Sequence, residues 1–367
     1  MNNFQYSQFV VDAKAIQAIP SLTFNEFKRG EFLAAQFSAL SLMDVHIDAI
    51  GNVYARIQGG NALPLVISAH LDSVLSPIEN NPIIENERHI TGPGIGDNAT
   101  GVAALVEIGR TFMDYKTTPP GDIWLVGDVC EEGLGNLKGM QQIVEKFKDK
   151  VIAYLVLEGI GLGMIQTAAL GIYRYQIIVN SKGGHAWSNF GEPSAIHELI
   201  ALSAKMLAIK LPANPRSSIN IGAISGGGSI NSIASHAEMQ IEIRSEDEST
   251  LESLARTIHK IATQTNPSGI EVSISEIGMR PSGRINENKP VIVTAQAALR
   301  NAGITPIFAI SSSDASLPIS LGYPATCLGI TSGRNVHTQQ ETIDLHSIPK
   351  GLSQLFFFIE HLWNYQP

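Results

Sequence analysis

The chain has 367 residues, 44% of them hydrophobic and 16% charged, enough for about two domains with proper cores. Its 25 Lys and Arg against 34 Asp and Glu leave a net charge of −9, which argues against nucleic acid or an anionic lipid surface as partner. No apolar run nears the ~18 residues that span a bilayer, residues 1–8 lack the basic and apolar parts of a leader, and the two cysteines, Cys130 and Cys327, make neither a disulfide framework nor a zinc ribbon; a cytoplasmic protein is the expectation.

The first third alternates helix and strand. Residues 4–19 and 25–42 place apolar side chains such as Phe32, Phe37, Leu40 and Leu42 at helical spacing. Residues 65–69 (LVISA) read as a short apolar strand, 100–112 as a helix with Val102, Leu105, Val106 and Ile108 inward, and 123–129 and 151–157 as two more strands. β-branched runs separated by helices predict a mostly parallel sheet covered on both faces. The middle differs. A strand at 172–179, a helix at 194–209 and a strand at 218–223 precede residues 237–244, where Met239, Ile241 and Ile243 alternate with Glu238, Gln240, Glu242 and Arg244. A helix at 250–263 and an alternating strand at 271–277 complete a split βαβ order, that of a ferredoxin-like module. Elements at 291–300, 305–310, 325–329 and 347–363 return to the first pattern. The expected architecture is α/β, with a mostly parallel-sheet catalytic domain (1–171 and 285–367) and an inserted α+β ferredoxin-like domain (172–284).

Open α/β sheets bind ligands beyond the carboxyl ends of their strands, and three strand ends here carry metal-competent groups. His70 and Asp72 follow LVISA, Glu131 and Glu132 follow the strand at 123–129, and Glu158 follows the strand at 151–157. Asp97 lies in the glycine loop GPGIGDNATG, and His337 in a late polar loop. Singly, each has a plainer reading as a surface hydrogen-bonding group or a solvated strand exit. Their recurrence at successive strand ends matches what a two-metal hydrolase needs: imidazoles and carboxylates for two ions, one bridging carboxylate, and one carboxylate left over as base. Consecutive side chains point opposite ways, so Glu131 and Glu132 can divide base and ligand duty. Asp72, two residues beyond His70 and on the same side, can steady its imidazole. A GxGxG run at 159–163 ends in Met164 rather than the final glycine of a dinucleotide fingerprint, SGGGS lacks a P-loop lysine, and Ser311 to Asp314 (SSSD) reads as a helix cap.

In order, HLDS, GIGDNATG, CEEGLG, LEG and NVHTQQE resemble the M20 family of co-catalytic zinc peptidases and amidohydrolases. The resemblance implies that His70, Asp97 and Glu158 hold one ion and Asp97, Glu132 and His337 the other, with Asp97 bridging, Glu131 as general base and Asp72 as orienting carboxylate. It also implies a cis bond between Asp97 and Asn98. Two divalent ions follow, zinc first, with cobalt or manganese accepted by such mixed donor sets. In the inserted domain, GGHAW and SGGGSIN are similar to the family's lid, which implies that this domain is a lid and dimerisation unit, that His185 polarises the scissile carbonyl, commonly across a homodimer, and that Arg244, with Asn231, grips a substrate carboxylate. Trp187 stands where many relatives have a small residue. The DNATG form is also similar to M28 aminopeptidases, which lack the inserted domain. The implied activity is hydrolysis of an amide bond in a small peptide with a free carboxylate, of di- or tripeptidase type. The alternatives are an N-acyl-amino-acid deacylase of the acetylornithine deacetylase or desuccinylase kind and a binding homologue without catalysis.

Overall fold

The structure, a computed structural model, describes residues 5–77, 83–264 and 268–364; residues 1–4 of the polar N-terminus, with Phe4 of the first expected helix, lie outside this set. The chain divides into two compact units, Met1–Ala169 with Arg284–Pro367, and Leu170–Gly283.

The first unit starts with α1 (Tyr6–Gln17) and α2 (Phe27–Ala39), whose apolar stripes include Phe9, Ala13 and Ile16, and Leu33 and Phe37. The strands β1 (Met43–Ile47), β2 (Val53–Ile57) and β3 (Ala62–His70) follow, then the short β4 (Ile84–Glu85) and β5 (His89–Thr91). Next come α3 (Gly101–Tyr115), β6 (Gly121–Asp128), α4 (Lys138–Phe147), β7 (Ala153–Ile160) and β8 (Met164–Ala169). The second unit holds β9 (Gly171–Ser181), β10 (Gly184–His185), α5 (Ala195–Leu207), β11 (Ser217–Gly226), β12 (Ser232–Ile233), β13 (His236–Ser245), α6 (Glu248–Thr263) and β14 (Ile270–Arg280). After β15 (Gly283–Arg284) the first unit closes with α7 (Pro290–Asn301), β16 (Ile307–Ser311), α8 (Ser316–Ser320), β17 (Ala325–Thr331), β18 (Gly333–Arg334), β19 (Thr342–Asp344) and α9 (Ile348–His361).

The main sheet runs β1-β2-β6-β3-β7-β17-β8-β15, with β16 paired to β8. The pairs β6/β3, β3/β7 and β7/β17 are all parallel, so the carboxyl ends of four adjacent strands share one edge. Leu65, Ile67 and Ala69 of β3 enter one core cluster and Val66 enters another. Burial on both faces is why these strands read as unbroken apolar runs. Hairpin β1/β2, β8 and α4 are additions to the expected elements. β7 also extends past the expected end, so Glu158 is a strand residue and not a loop residue.

The second unit is a four-stranded antiparallel sheet, β11-β13-β9-β14, with α5 and α6 packed by Leu199, Leu202, Leu251 and Ile258 against Ile177, Met239, Ile241 and Ile243. In the module's own strand order this is 4-1-3-2, the ferredoxin-like arrangement. Among the described residues no helix is long and apolar enough to cross a membrane.

Candidate active site

Three parallel strand ends and two loops deliver the side chains. His70 is the last residue of β3, Glu158 sits two residues from the end of β7, Glu131 and Glu132 follow β6, and His337 lies in the turn between β18 and β19. Asp97 comes from the loop before α3, whose course is set by close packing. A Cβ on Gly159 would stand 1.8 Å from the Gly96 carbonyl oxygen, so the LEG stretch of β7 and the GIGDN loop touch backbone to backbone. Gly94 has φ +70, a left-handed conformation that glycine takes without penalty. Asn98 joins the two segments: its Nδ2 donates to the Leu157 carbonyl at 2.9 Å, while its Oδ1 accepts the Gly159 N–H at 2.9 Å and the Gly101 N–H at 3.1 Å. The Asp97-Asn98 bond is cis. His337 and Cys130 both have positive φ, +64 and +61, uncommon for residues with a Cβ and typical of sites where position outranks backbone comfort.

Two donor sets result. His70 Nε2 lies 3.0 Å from Asp97 Oδ1 and 3.6 Å from Glu158 Oε2. His337 Nε2 lies 3.0 Å from Asp97 Oδ2 and 3.0 Å from Glu132 Oε1. Within His70, Asp97 and Glu158, and within Asp97, Glu132 and His337, the ligand atoms all fall within 4.8 Å of one another. Asp97 offers one oxygen to each set. Glu131 belongs to neither, although it is buried and next in sequence to Glu132. Each set combines one imidazole with two carboxylates, a donor chemistry that suits zinc, cobalt or manganese.

The electrostatics fit the same conclusion. Hydrogen bonds to Asp97 and Glu132 raise His337 to about 10. Burial disfavours a charged His70, but Glu158, Asp72 and Asp97 outweigh it and raise its pKa well above the usual imidazole range. Burial also works against ionised Asp97, yet the bonds to His337 and His70 keep its carboxyl well below its ordinary value. Two imidazolium groups thus hold the cluster where cations would. Because a metal ligand must be a neutral imidazole, loading the chelated protein with zinc at pH 8 should release about two protons. Calorimetry in buffers of different ionisation enthalpy measures that number, and release near zero would mean that both imidazoles are already neutral in the metal-free protein.

Asp72 faces the His70 ring through both its main chain and its carboxylate. His70 Nδ1 is 3.0 Å from the Asp72 main-chain carbonyl and 3.5 Å from its carboxylate. The carboxylate itself accepts the N–H groups of Glu131 and Glu132, at 3.0 and 2.9 Å, and the Thr23 hydroxyl at 2.9 Å. It therefore ties the β3 end to both adjacent glutamates. Within the SSSD run, Ser313 Oγ accepts the Ala315 N–H at 3.2 Å at the start of α8, while the fully buried Asp314 carboxyl is directed to Asp128. The two carboxyls face each other in the buried interior. Burial raises Asp128 to about 6 and Asp314 well above its usual value.

Glu341, the last residue of NVHTQQE, has a part that motif reading does not assign. Its buried carboxylate accepts the N–H groups of Gly96 and Asp97, at 2.6 and 2.7 Å, and of Gly94 at 3.2 Å. It thereby links the His337 loop to the Asp97 loop; the four-residue spacing from His337 in a polar loop is the one signal for it.

In the second unit, β10 pairs with β12, placing His185 opposite Ser232 and the GGHAW turn beside Asn231. His185 Nδ1 accepts the N–H groups of Trp187 and Ser188, both at 3.2 Å, which puts the proton of the neutral ring on Nε2. Asn231 Oδ1 accepts the Ser229 hydroxyl at 2.6 Å. Arg244 donates Nε to Glu242 at 2.5 Å, and Glu242 also takes Arg174 Nε at 2.8 Å. The Nη groups of Arg244 make no hydrogen bond with the described residues.

Comparison with known proteins adds the following. Residues 66–361 match the family model for peptidase family M20/M25/M40. A peptidase M20 domain-containing protein of Schizosaccharomyces pombe is 26% identical over 262 residues, 67% of this chain and 62% of that protein. A probable carboxypeptidase of Aspergillus clavatus is 27% identical over 298 residues, 73% of this chain and 69% of that one. The first curated relatives are matched over 62% of their own length. Among solved structures, a tripeptidase from Staphylococcus aureus superimposes with TM-score 0.81 at 23% identity, covering 98% of this chain and 99% of the other, a likeness of fold.

Proposed function

The chain belongs to peptidase family M20/M25/M40, and on that premise we propose that it is a metal-dependent hydrolase of amide bonds in small peptides with a free carboxylate, a di- or tripeptide exopeptidase. One observation supports this above all: two donor sets share Asp97, while the buried Glu131, next in sequence to Glu132, is in neither. His70, Asp97 and Glu158 would hold one ion and Asp97, Glu132 and His337 a second, with zinc the first choice. Bound there, two divalent ions polarise a carbonyl and ease the loss of a proton from water. Glu131 takes that proton and passes it to the leaving amine. Asp72 holds the main chain from which both glutamates project. His185, with its proton on Nε2, donates to the carbonyl oxygen as negative charge builds. Arg244 turns its Nη pair to the substrate carboxylate, a guanidinium's preferred partner, and Asn231 adds an amide. A relative named as a carboxypeptidase supports a substrate with a free carboxylate. The second unit serves as lid and homodimer contact, and the protein works in the cytoplasm.

The test is a panel of tripeptides, dipeptides and N-acyl amino acids, assayed with zinc-reconstituted and chelated protein. Peptide cleavage should vanish on chelation and return with zinc. Turnover of N-acyl amino acids alone would make the protein a deacylase, and no turnover on any class would sink the hydrolase reading. His185→Ala should lower kcat by about a hundredfold, the scale of one lost oxyanion donor, with metal content unchanged. Mixing it with a Glu131 variant should restore activity if His185 serves the partner's site, and no recovery would place its action within one subunit.

A further inference from the structure

The stretch 21–29 supplies none of the ligand or base side chains, yet its polar groups run to two of the loops that carry them. Ser21 Oγ donates to the Leu71 carbonyl at 2.8 Å, and the Ser73 N–H donates back to the Ser21 carbonyl at 2.8 Å. Thr23 Oγ1 donates to Asp72 Oδ2 at 2.9 Å. Glu26, buried just ahead of α2, accepts the Cys130 N–H at 3.1 Å and the Phe24 N–H at 2.9 Å with one oxygen. One turn on, Arg29 is 1% exposed. Its Nη1 donates to the Leu71 carbonyl at 2.7 Å and to Ser73 Oγ at 3.2 Å, and its Nη2 to the Ile19 carbonyl at 2.8 Å.

Burying a guanidinium carries a desolvation cost that an apolar side chain of similar length avoids. Arg29 even buries an Nε–H with no partner among the described residues. Burial lowers it to about 10, opposed by Asp72 and Glu26, so it stays charged at neutral pH. What the cation adds is direction: a planar fork fixes two carbonyl groups on separate segments at once, and its charge lies near the buried Asp72 carboxylate. Glu26 performs the complementary task on the loop after β6, where Cys130 holds its positive φ immediately before Glu131.

We infer that Thr23, Glu26 and Arg29 are positioning residues for the active site: Arg29 and Thr23 fix the turn bearing His70 and Asp72, and Glu26 fixes the main chain that carries Glu131 and Glu132. The inference rests on the hydrolase reading above. Such outer contacts to a metal site are worth roughly 10–100-fold in affinity or activity.

The test compares Arg29→Met, Arg29→Lys and Thr23→Val with the native protein in two measurements on the full chain. Calorimetric titration with zinc alone needs no substrate. Peptide kinetics on zinc-loaded, folded protein, with melting followed in parallel, give kcat and KM separately. Arg29→Met should bind zinc about tenfold more weakly and lose roughly 10–100-fold in kcat, with KM changed less than about threefold. Arg29→Lys should recover part of both, since an ammonium can reach Leu71 or Ser73 but not span to Ile19. Thr23→Val, close to isosteric, should lose a few-fold in kcat. Native zinc affinity and native kcat in folded Arg29→Met would overturn the inference, as would a loss of kcat that disappears below the variant's melting range. If Arg29→Met fails to fold, Thr23→Val decides, and unchanged kcat and zinc affinity there overturn it. A native protein inactive on every peptide would refute the hydrolase reading, while the zinc titrations would still judge the positioning residues.

Discussion

Glu131→Gln should keep both ions and lower kcat by about 10²–10⁴, the usual worth of a positioned general base. The glutamine amide matches the shape of the carboxylate and cannot accept the proton of water. Glu131 is in neither donor set, so zinc content should stay at the native value. Its main-chain bond to Asp72, 3.0 Å from Glu131 N–H to Oδ1, is unaffected by the substitution, so the loop should hold its course. Elemental analysis and steady-state kinetics on one preparation test both halves. A kcat within tenfold of native would remove Glu131 as the base. A protein that loses an ion would make it a ligand.

Asp97→Ala should have the broadest effect of any single substitution. The carboxylate is common to both sets, 3.0 Å from His70 Nε2 through one oxygen and 3.0 Å from His337 Nε2 through the other. Without it each set falls to one imidazole and one glutamate, too few for a closed site. Zinc affinity should fall at both positions by at least about a hundredfold, and peptide hydrolysis should drop below detection. His337→Ala is the contrast, since it removes a ligand from one set only and should leave one ion tightly bound. If Asp97→Ala still binds two equivalents of zinc with native affinity, the shared carboxylate is not a bridge. The His337 imidazolium also makes a statement about the chelated protein. Its pKa is raised from 6.5 to about 10 by Asp97 and Glu132, so the stability it contributes is complete below about 6.5 and is lost as pH climbs through 10.

Much of this molecule was legible before any coordinates. The strict alternation of Met239, Ile241 and Ile243 with Glu238, Gln240 and Glu242 marks a sheet with one covered face, and β13 buries that apolar set against α5 and α6. The runs LVISA and YLVL mark strands covered on both sides, and β3 and β7 are central in the main sheet. What escaped were elements whose register depends on distant partners, such as hairpin β1/β2, where β2 borrows its place from β6. Asp314 shows the limit of local rules. A serine-rich run ending in aspartate before a short helix has the composition of a cap, and Ser313 Oγ takes that part on the Ala315 N–H, but the Asp314 carboxyl is buried beside Asp128 of β6.

By itself, then, the amino-acid order determined the family motifs, the alternation of strand and helix, and the split βαβ order of the second unit. All of these are carried by short-range periodicity or by residue types a few positions apart. Only the tertiary structure decided that Asp72 turns its carboxylate to the Glu131 and Glu132 amides, that Glu341 gathers the N–H groups of the Asp97 loop, and that Arg29 is buried beneath the His70 turn. Those contacts join segments far apart in the chain through individual hydrogen bonds. Their direction depends on loop backbone angles and on which neighbour excludes water, neither of which residue spacing encodes.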